Sequence, residues 1–409
     1  MDSFSFIGTI RTIKDNDKLK GYEEKTFDSG WTNRQLKFNV TSGTNSMIVQ
    51  IKGGCFTDSK GNPKSDNKVY TSIKGKDNKS EKAEIPWNDR KKASWLEKVP
   101  VWKKLIIDTE MPETRKALYA IRDAINDNKA LTDEQYKFLG VDNLDAAKEA
   151  VEKRARHEYL SEWDYAEIVN KYIAKIGKDD MFKVSGNIEI SYDTENNTAY
   201  KNYVVTKIEK MPADTKPEAT AIIDVFFNKD AFDATDWVET PVEGEKLPAV
   251  SGIGIVNAKQ SYFASNKKYN IKGTFYTDIV FEVPASRIGY ALKFKLTAPF
   301  DKDVTWKHMP IKVKVIDGAP VVDLTYDMLT EDQKMDIDCG CYTLEELSKS
   351  MSNVYGEKVR KYVFDSLLPN KNVEDTAFTD DDMVEAHSTE QEEVAITKEE
   401  EQDVFEDIL

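Results

Sequence analysis

The chain has 409 residues, of which 40% are hydrophobic and 32% charged, with a formal net charge of −15. That length predicts two or three globular domains. No run approaches the ~20 apolar residues of a membrane span, and residues 1–8 carry no basic-then-apolar leader. Three cysteines, Cys55, Cys339 and Cys341, cannot build a disulfide framework. The expectation is a soluble, cytoplasmic protein.

The charge is unevenly spread. Residues 371–409 hold 15 Asp and Glu against Lys371 and Lys398, a net of −13, so the other 370 residues carry only −2. Residues 1–110 are basic at +6. The acidity therefore belongs mostly to a tail, and the N-terminal block permits a polyanionic partner.

Residues 4–110 read as strands. Phe4, Phe6, Ile7, Ile10 and Ile13 form an aromatic and β-branched start, and Leu36, Phe38 and Val40 alternate with Gln35, Lys37 and Asn39. Residues 47–52 and 68–74 supply two more strands, separated by Gly53-Gly54 and by polar turns, and residues 99–108 a last apolar run. About five short strands with long loops predict a small Greek-key barrel over 1–110. Residues 111–180 change to helical spacing at Ala117, Leu118, Ile121, Ala124 and Ile125. A cap at Thr132 comes next, then a long charged helix over 146–164, making this stretch a helical connector. Residues 181–318 return to strands in a parallel layout, predicting a second barrel. Residues 319–370 predict a small helical segment, with one helix at 343–347 and another over 354–368. From 371 the acidic composition predicts a disordered tail, although Val404, Phe405, Ile408 and Leu409 restore apolar residues at its tip. The fold class is mainly β with a helical insert.

Enzymatic signatures are absent. No phosphate-binding glycine loop with Lys-Ser/Thr occurs, and Gly252-Ile-Gly254 lacks the third glycine of a dinucleotide fingerprint. Cys339-Gly-Cys341 lacks companions for a four-ligand zinc site, since Cys55, His157, His308 and His387 are scattered. The acidic pairs Asp336/Asp338 and Asp380/Asp382 sit where no rigid metal geometry is expected. No cofactor, metal or catalytic residue is predicted.

A binding surface is predicted instead. Single-stranded nucleic acid is held by aromatic faces that stack on bases and by cations that follow phosphates. The N-terminal block offers both in Tyr22, Trp31, Arg34, Lys37, Lys52, Tyr70, Lys74, Lys76, Trp87, Arg90, Lys91 and Lys92. Lys37 lies on the strand face opposite Leu36 and Phe38 and should point away from the core. A weaker extension runs through Tyr192, Tyr200, Lys201, Tyr203, Lys207, Tyr262, Phe263, Lys267, Lys268 and Lys272. The tail would compete for the cationic groove, and its tip, Asp403, Phe405, Glu406, Asp407, Ile408 and Leu409, would dock in a protein partner.

Several segments carry a family resemblance. They are Phe4-Ser-Phe-Ile-Gly, Glu24-Lys-Thr-Phe-Asp-Ser-Gly-Trp-Thr-Asn, Leu36-Lys-Phe-Asn-Val, Lys52-Gly-Gly-Cys and Ile85-Pro-Trp-Asn-Asp-Arg. Later come Ser161-Glu-Trp-Asp-Tyr-Ala-Glu, Asp327-Met-Leu-Thr-Glu-Asp-Gln and Asn353-Val-Tyr-Gly-Glu. Through them the chain resembles single-stranded DNA-binding proteins of large tailed bacteriophages of Gram-positive bacteria. The resemblance implies OB-type barrels, a non-catalytic role in phage DNA replication or recombination, and residence in the host cytoplasm. The acidic end is similar in logic to the partner-recruiting end of bacterial single-strand binding proteins, but terminates in Glu-Asp-Ile-Leu without their Pro-Phe. The alternative expectation is a non-enzymatic scaffold of a phage assembly.

Overall fold

Strand-forming alternation dominates the first 56 residues and sets the architecture. In the computed structural model, which describes residues 2–16, 19–75, 79–154, 157–266, 269, 271–319, 324–350 and 357–386, β1 (Ser3–Thr12), β2 (Tyr22–Thr26), β3 (Trp31–Ser42) and β4 (Asn45–Phe56) come first. Every second residue is buried along β3 and along β1 as far as Ile10: Leu36, Phe38 and Val40 on the one, Phe4, Phe6 and Ile10 on the other. A hairpin of β5 (Lys68–Lys74) and β6 (Ser80–Pro86) follows, then α1 (Ala93–Lys98) and β7 (Leu105–Asp108). The helical stretch holds α2 (Pro112–Asn126), α3 (Asp133–Leu139), α4 (Leu144–Arg154), the short β8 (His157–Tyr159) and α5 (Glu162–Ile173). The expected continuous helix over 146–164 is thus two helices with β8 between them, because β8 pairs with β7. Thr132 caps α3 reciprocally with Gln135, as its spacing predicts.

The next strands are β9 (Met181–Asp193) and β10 (Thr198–Met211). They do not found a second unit. β9 pairs with β1 (Ser3 opposite Asn187), β10 with β9, and β10 runs parallel to β4 at Val204 and Gln50. With β1–β3 and β3–β4 the pairings close a circuit, β1-β3-β4-β10-β9-β1. The helical stretch is inserted in this circuit, and α5 packs on β4, β3 and β1. This circuit draws its strands from both sides of the expected boundaries at 110 and 181, since β1, β3 and β4 close only through β9 and β10.

Beyond it lie β11 (Glu218–Phe227), β12 (Phe232–Asp233), β13 (Trp237–Thr240), β14 (Ala249–Asn266), β15 (Ile271–Pro284), α6 (Arg287–Leu296) and β16 (Lys307–Gly318). After α7 (Glu331–Asp338) and α8 (Leu344–Ser350) comes β17 (Val359–Leu367). These strands close a second circuit, β11-β14-β15-β17-β16-β11, in which only the β15–β17 pairing is parallel. Of the expected helix over 354–368, residues 354–356 lie outside the described residues, and the rest is corrected by β17, whose cross-strand bonds to β16 override its local helical spacing. The wiring matches the first circuit strand for strand: a three-strand meander, a helix, then two strands of which the last runs parallel to the third. β1 and β11 pair and join the circuits.

One hydrophobic cluster runs through both, from Phe6 and Phe38 to Ile223, Phe281 and Val313. Smaller clusters surround Trp87 and Trp163, and tie α2 to α3 and α4. Sixteen of the described strands join in one sheet, so the molecule is mainly β with several helices. No described helix is long and apolar enough to cross a membrane.

The expected disordered tail does not begin at 371. Residues 371–386 form a strap whose β18 (Glu374–Asp375) pairs with β16, and Met383 and Ala386 are buried. Residues 387–409, including the predicted docking tip at Asp403 and Phe405–Leu409, lie outside the described residues.

Candidate nucleic-acid interface

The β3–β4 hairpin has an inner and an outer face because its side chains alternate. Leu36, Phe38 and Val40 point inward against Met47, Val49 and Ile51. The outer face places Gln35 opposite Lys52, Lys37 opposite Gln50 and Asn39 opposite Ile48. Gln35 Nε2 donates to Gln50 Oε1 at 2.8 Å. Gly43 begins the two-residue turn at φ 62°, a conformation that glycine adopts without strain. Lys37 and Lys52 make no salt bridge among the described residues. The result is a ladder of amides with two cations outside any salt bridge, Lys52 within electrostatic reach of the Glu189 carboxyl, whose value burial raises and the Lys52 charge pulls back. Such a face can contact phosphates and base edges.

Arg34 is not part of that face. It shares its parity with Leu36, so its side chain turns inward and is almost fully buried. Its Nε donates to Glu24 at 2.9 Å, and its Nη1 to Glu167 at 3.0 Å and to the Trp163 carbonyl at 2.9 Å. The guanidinium also lies 3.7 Å from the Trp163 ring centroid, so it ties β3 to α5. The Glu167 carboxyl is held below its ordinary value, first by the Lys171 hydrogen bond and then by the Arg34 charge.

The expected aromatic faces are used internally as well. Trp87 is buried in the cluster with Cys55, Ile85, Val99 and Trp163. The Arg90 guanidinium lies 3.9 Å above the Trp87 ring and forks onto Asp164 at 2.6 and 3.0 Å. Burial pushes the Cys55 thiol up to about 12. Trp31 is half-buried, bonded through Nε1 to Asn33 at 2.6 Å and edge-on to Phe56. Its ring occupies the space above Gly54, where a β-carbon would approach it to 2.5 Å. Tyr22 packs on the main core, and its hydroxyl, bonded to Glu24 at 2.7 Å, is raised chiefly by burial.

The remaining predicted residues are dispersed. Tyr70 and Lys74 are exposed on the β5–β6 hairpin, and Lys76 lies outside the described residues. Lys91 and Lys92 are exposed before α1, the first 3.0 Å from Asp164 and the second 2.7 Å from Asp89. In the weaker track, Tyr203 packs against Phe4 and Phe6, and Tyr192 stacks on Tyr262. Lys207 pairs with Glu209 at 2.9 Å, and Lys201 stands over the Tyr362 ring, its ammonium lowered to about 8 by burial. Tyr200 and Phe263 are exposed, whereas Lys267 and Lys268 lie outside the described residues.

Comparison with known proteins adds little at this point. No family model and no curated protein matches the chain. A solved structure that does match is a deletion mutant of the single-stranded DNA binding protein from Thermus aquaticus. It is 7% identical, covers 78% of this chain and 87% of its own, and has a TM-score of 0.27. So low a TM-score assigns neither fold nor activity.

The corresponding face of the second circuit is already occupied. Lys259 pairs with Asp278 at 2.9 Å, and Lys361 with Glu282 at 2.8 Å. The strap crosses the neighbouring surface. Lys307 pairs with Asp375 at 3.5 Å, and His308 stands between Asp224 at 3.3 Å and Glu374 at 3.4 Å. Trp306 Nε1 donates to Asp380 at 2.8 Å, while Met383 packs with Phe226, Tyr276 and Trp306. The strap ends where the Ala386 N–H donates to the Tyr262 hydroxyl at 3.1 Å, beside the Tyr192 stack. Cys339 and Cys341 are free and exposed, and the described residues contain no group of three or more ligands suited to a metal.

Proposed function

We propose that this chain binds single-stranded DNA without catalysing a reaction, using the outer face of β3–β4 in the first of two OB-type barrels. The wiring of the first circuit carries the reading. A five-strand Greek-key circuit of this kind presents its second and third strands, here β3 and β4, to oligonucleotides. In this chain that face holds Lys37 and Lys52 among amides, neither in a salt bridge among the described residues, whereas on its counterpart in the second circuit Lys259 and Lys361 are paired with Asp278 and Glu282. Binding would come from phosphate contacts with counterion release and would show little sequence preference. Residues 387–409, which carry a net charge of −8, would compete for the same cations and recruit a replication or recombination protein. A phage replication role fits this reading.

The test is fluorescence anisotropy with a labelled strand of ~30 nucleotides over a salt titration, a length exceeding the ~4–16 nucleotides one barrel covers. The Lys37→Ala/Lys52→Ala double variant should bind more weakly. Its log–log salt slope should shrink by about 1.4, the value for two lost phosphate contacts on a single strand. Unchanged affinity and slope would remove this face from the interface. No binding by the unaltered protein at low salt would overturn the DNA reading in favour of a protein scaffold.

A further inference from the structure

The segment from Arg90 to Lys104 has six cations and one acid, Glu97, the densest positive run in the N-terminal block. It belongs to neither circuit, sitting in the insert between β4 and β9. The turn after α1 pushes Trp102 outward, leaving it 76% exposed, with Val101 beside it at 47%. No other large apolar residue among those described is as exposed as Trp102. An indole in water between lysines gains nothing for the fold. The Val99 and Leu105 side chains on either side are the ones buried.

Of the six cations, Lys91 and Lys92 are exposed but paired with Asp164 and Asp89, and the other four fall into two sets. Arg90 and Lys104 are sequestered, one on Asp164 and the other on Glu158 at 2.5 Å. Lys98 and Lys103 are exposed and make no salt bridge among the described residues, and Lys98 Nζ lies 4.8 Å from the Trp95 ring. A solvated indole with Lys103 next to it in sequence and Lys98 four positions before it, neither in a salt bridge among the described residues, suits a flat, anionic, flexible ligand better than an apolar protein groove.

The topology also brings the strand that follows this turn near β4, because both pair with β10. β7, which starts three residues after Trp102, runs parallel to β10 with Ile106 opposite Lys207. β4 runs parallel to the same strand with Gln50 opposite Val204. Those two positions on β10 are three residues apart, roughly 10 Å along a strand.

We propose that Trp102, with Lys98 and Lys103, is a stacking platform for single-stranded nucleic acid as it leaves the β3–β4 face. The inference rests on the single-strand reading above and assigns it a contact outside the barrels. Lys98 and Lys103 hold phosphates on either side of the base that lies on the indole. Duplex DNA, whose bases are already stacked on one another, cannot use it.

The test compares the unaltered full chain with Trp102→Ala, Trp102→Phe and Lys98→Ala/Lys103→Ala by anisotropy, on an oligo-dT of ~30 nucleotides and on a duplex of equal length. Trp102→Ala should weaken binding to the single strand about fivefold or more and leave its salt slope unchanged, as loss of one stacked base requires. Trp102→Phe should retain most of the affinity, and the lysine pair should lower the slope. Equal single-strand affinity for the unaltered protein and Trp102→Ala would overturn the platform while leaving the DNA reading intact. A change in self-association on sedimentation, without a change in DNA affinity, would assign the surface to a second copy of the chain and likewise overturn it. If the unaltered protein fails to bind, the broader reading falls and the platform falls with it.

Discussion

Arg34 and Lys37 stand three residues apart on one strand, and their parity separates their roles. Period-2 alternation already places Lys37 opposite Leu36 and Phe38, and it equally places Arg34 on their side. That signal was legible in the sequence, but residue type suggested a phosphate contact. What the sequence could not supply was the partner set, because Trp163 and Glu167 come from a helix about 130 positions away. The consequence is measurable. Arg34→Ala should destabilise the fold by about 2–3 kcal/mol, a range set by lost charged hydrogen bonds to half-exposed carboxylates and by the stripped Trp163 face. It should leave the salt slope of DNA binding unchanged. Glu167 has a lowered folded value, so its contribution is present above the ordinary glutamate value of 4.5 and fades as pH falls below it. Lys171 is the first cause of that lowering and remains in the variant, so only the Arg34 share is lost, and the gap between Arg34→Ala and the unaltered protein in urea unfolding should narrow slightly in acid. A wild-type urea midpoint for Arg34→Ala, or a reduced salt slope, would return Arg34 to the binding face.

At the scale of elements, composition misjudged the strap. Residues 371–386 carry a net charge of −5, which reads as solvated tail, yet three carboxylates on them are matched to Lys307, His308 and Trp306. Phe378 and Met383 then pack on rings from β11 and β15, while Tyr276 N–H donates to the Val384 carbonyl at 2.9 Å. An acidic segment folds when a cationic strand edge and an apolar surface await it, and neither is adjacent in sequence. The same cause explains β17, where long-range pairing to β16 overrode local helical spacing. Two truncations separate the strap from residues 387–409. Ending the chain at Ala386 should leave the thermal midpoint unchanged and tighten DNA binding, because it removes the competing −8 charge. Ending it after Asn372 should cost about 2 kcal/mol or more in stability, since the pocket around Met383 is left unfilled. Calorimetry on both would show whether the boundary between fold and tail lies at 386. Equal midpoints for the two would place it at 371 instead.

At the scale of the molecule, the strands were legible and their partnership was not. The aromatic start, the Leu36–Val40 alternation and the later β blocks all appear as strands. A repetition of layout was expected too, but between residues 4–110 and 181–318, whereas the two circuits that share a wiring run over 3–211 and 218–367, with β9 and β10 in the first. Which strand closes which circuit depends on contacts such as Ser3 with Asn187, separated by a whole helical insert, and local periodicity carries no record of them. The energetic result is interdependence. A fragment of residues 1–110 leaves β1 without β9 and β4 without β10, exposes two unpaired strand edges, and strips Tyr203 from Phe4 and Phe6. It should give a disordered far-UV circular dichroism spectrum and no slowly exchanging amides. The full chain, whose main core runs unbroken through both circuits, should unfold in one calorimetric transition with equal van't Hoff and calorimetric enthalpies. Two resolved transitions would mean that the β1–β11 seam is a domain boundary despite its shared core. Protected amides in the 1–110 fragment would mean that β9 and β10 are additions to a unit already closed without them.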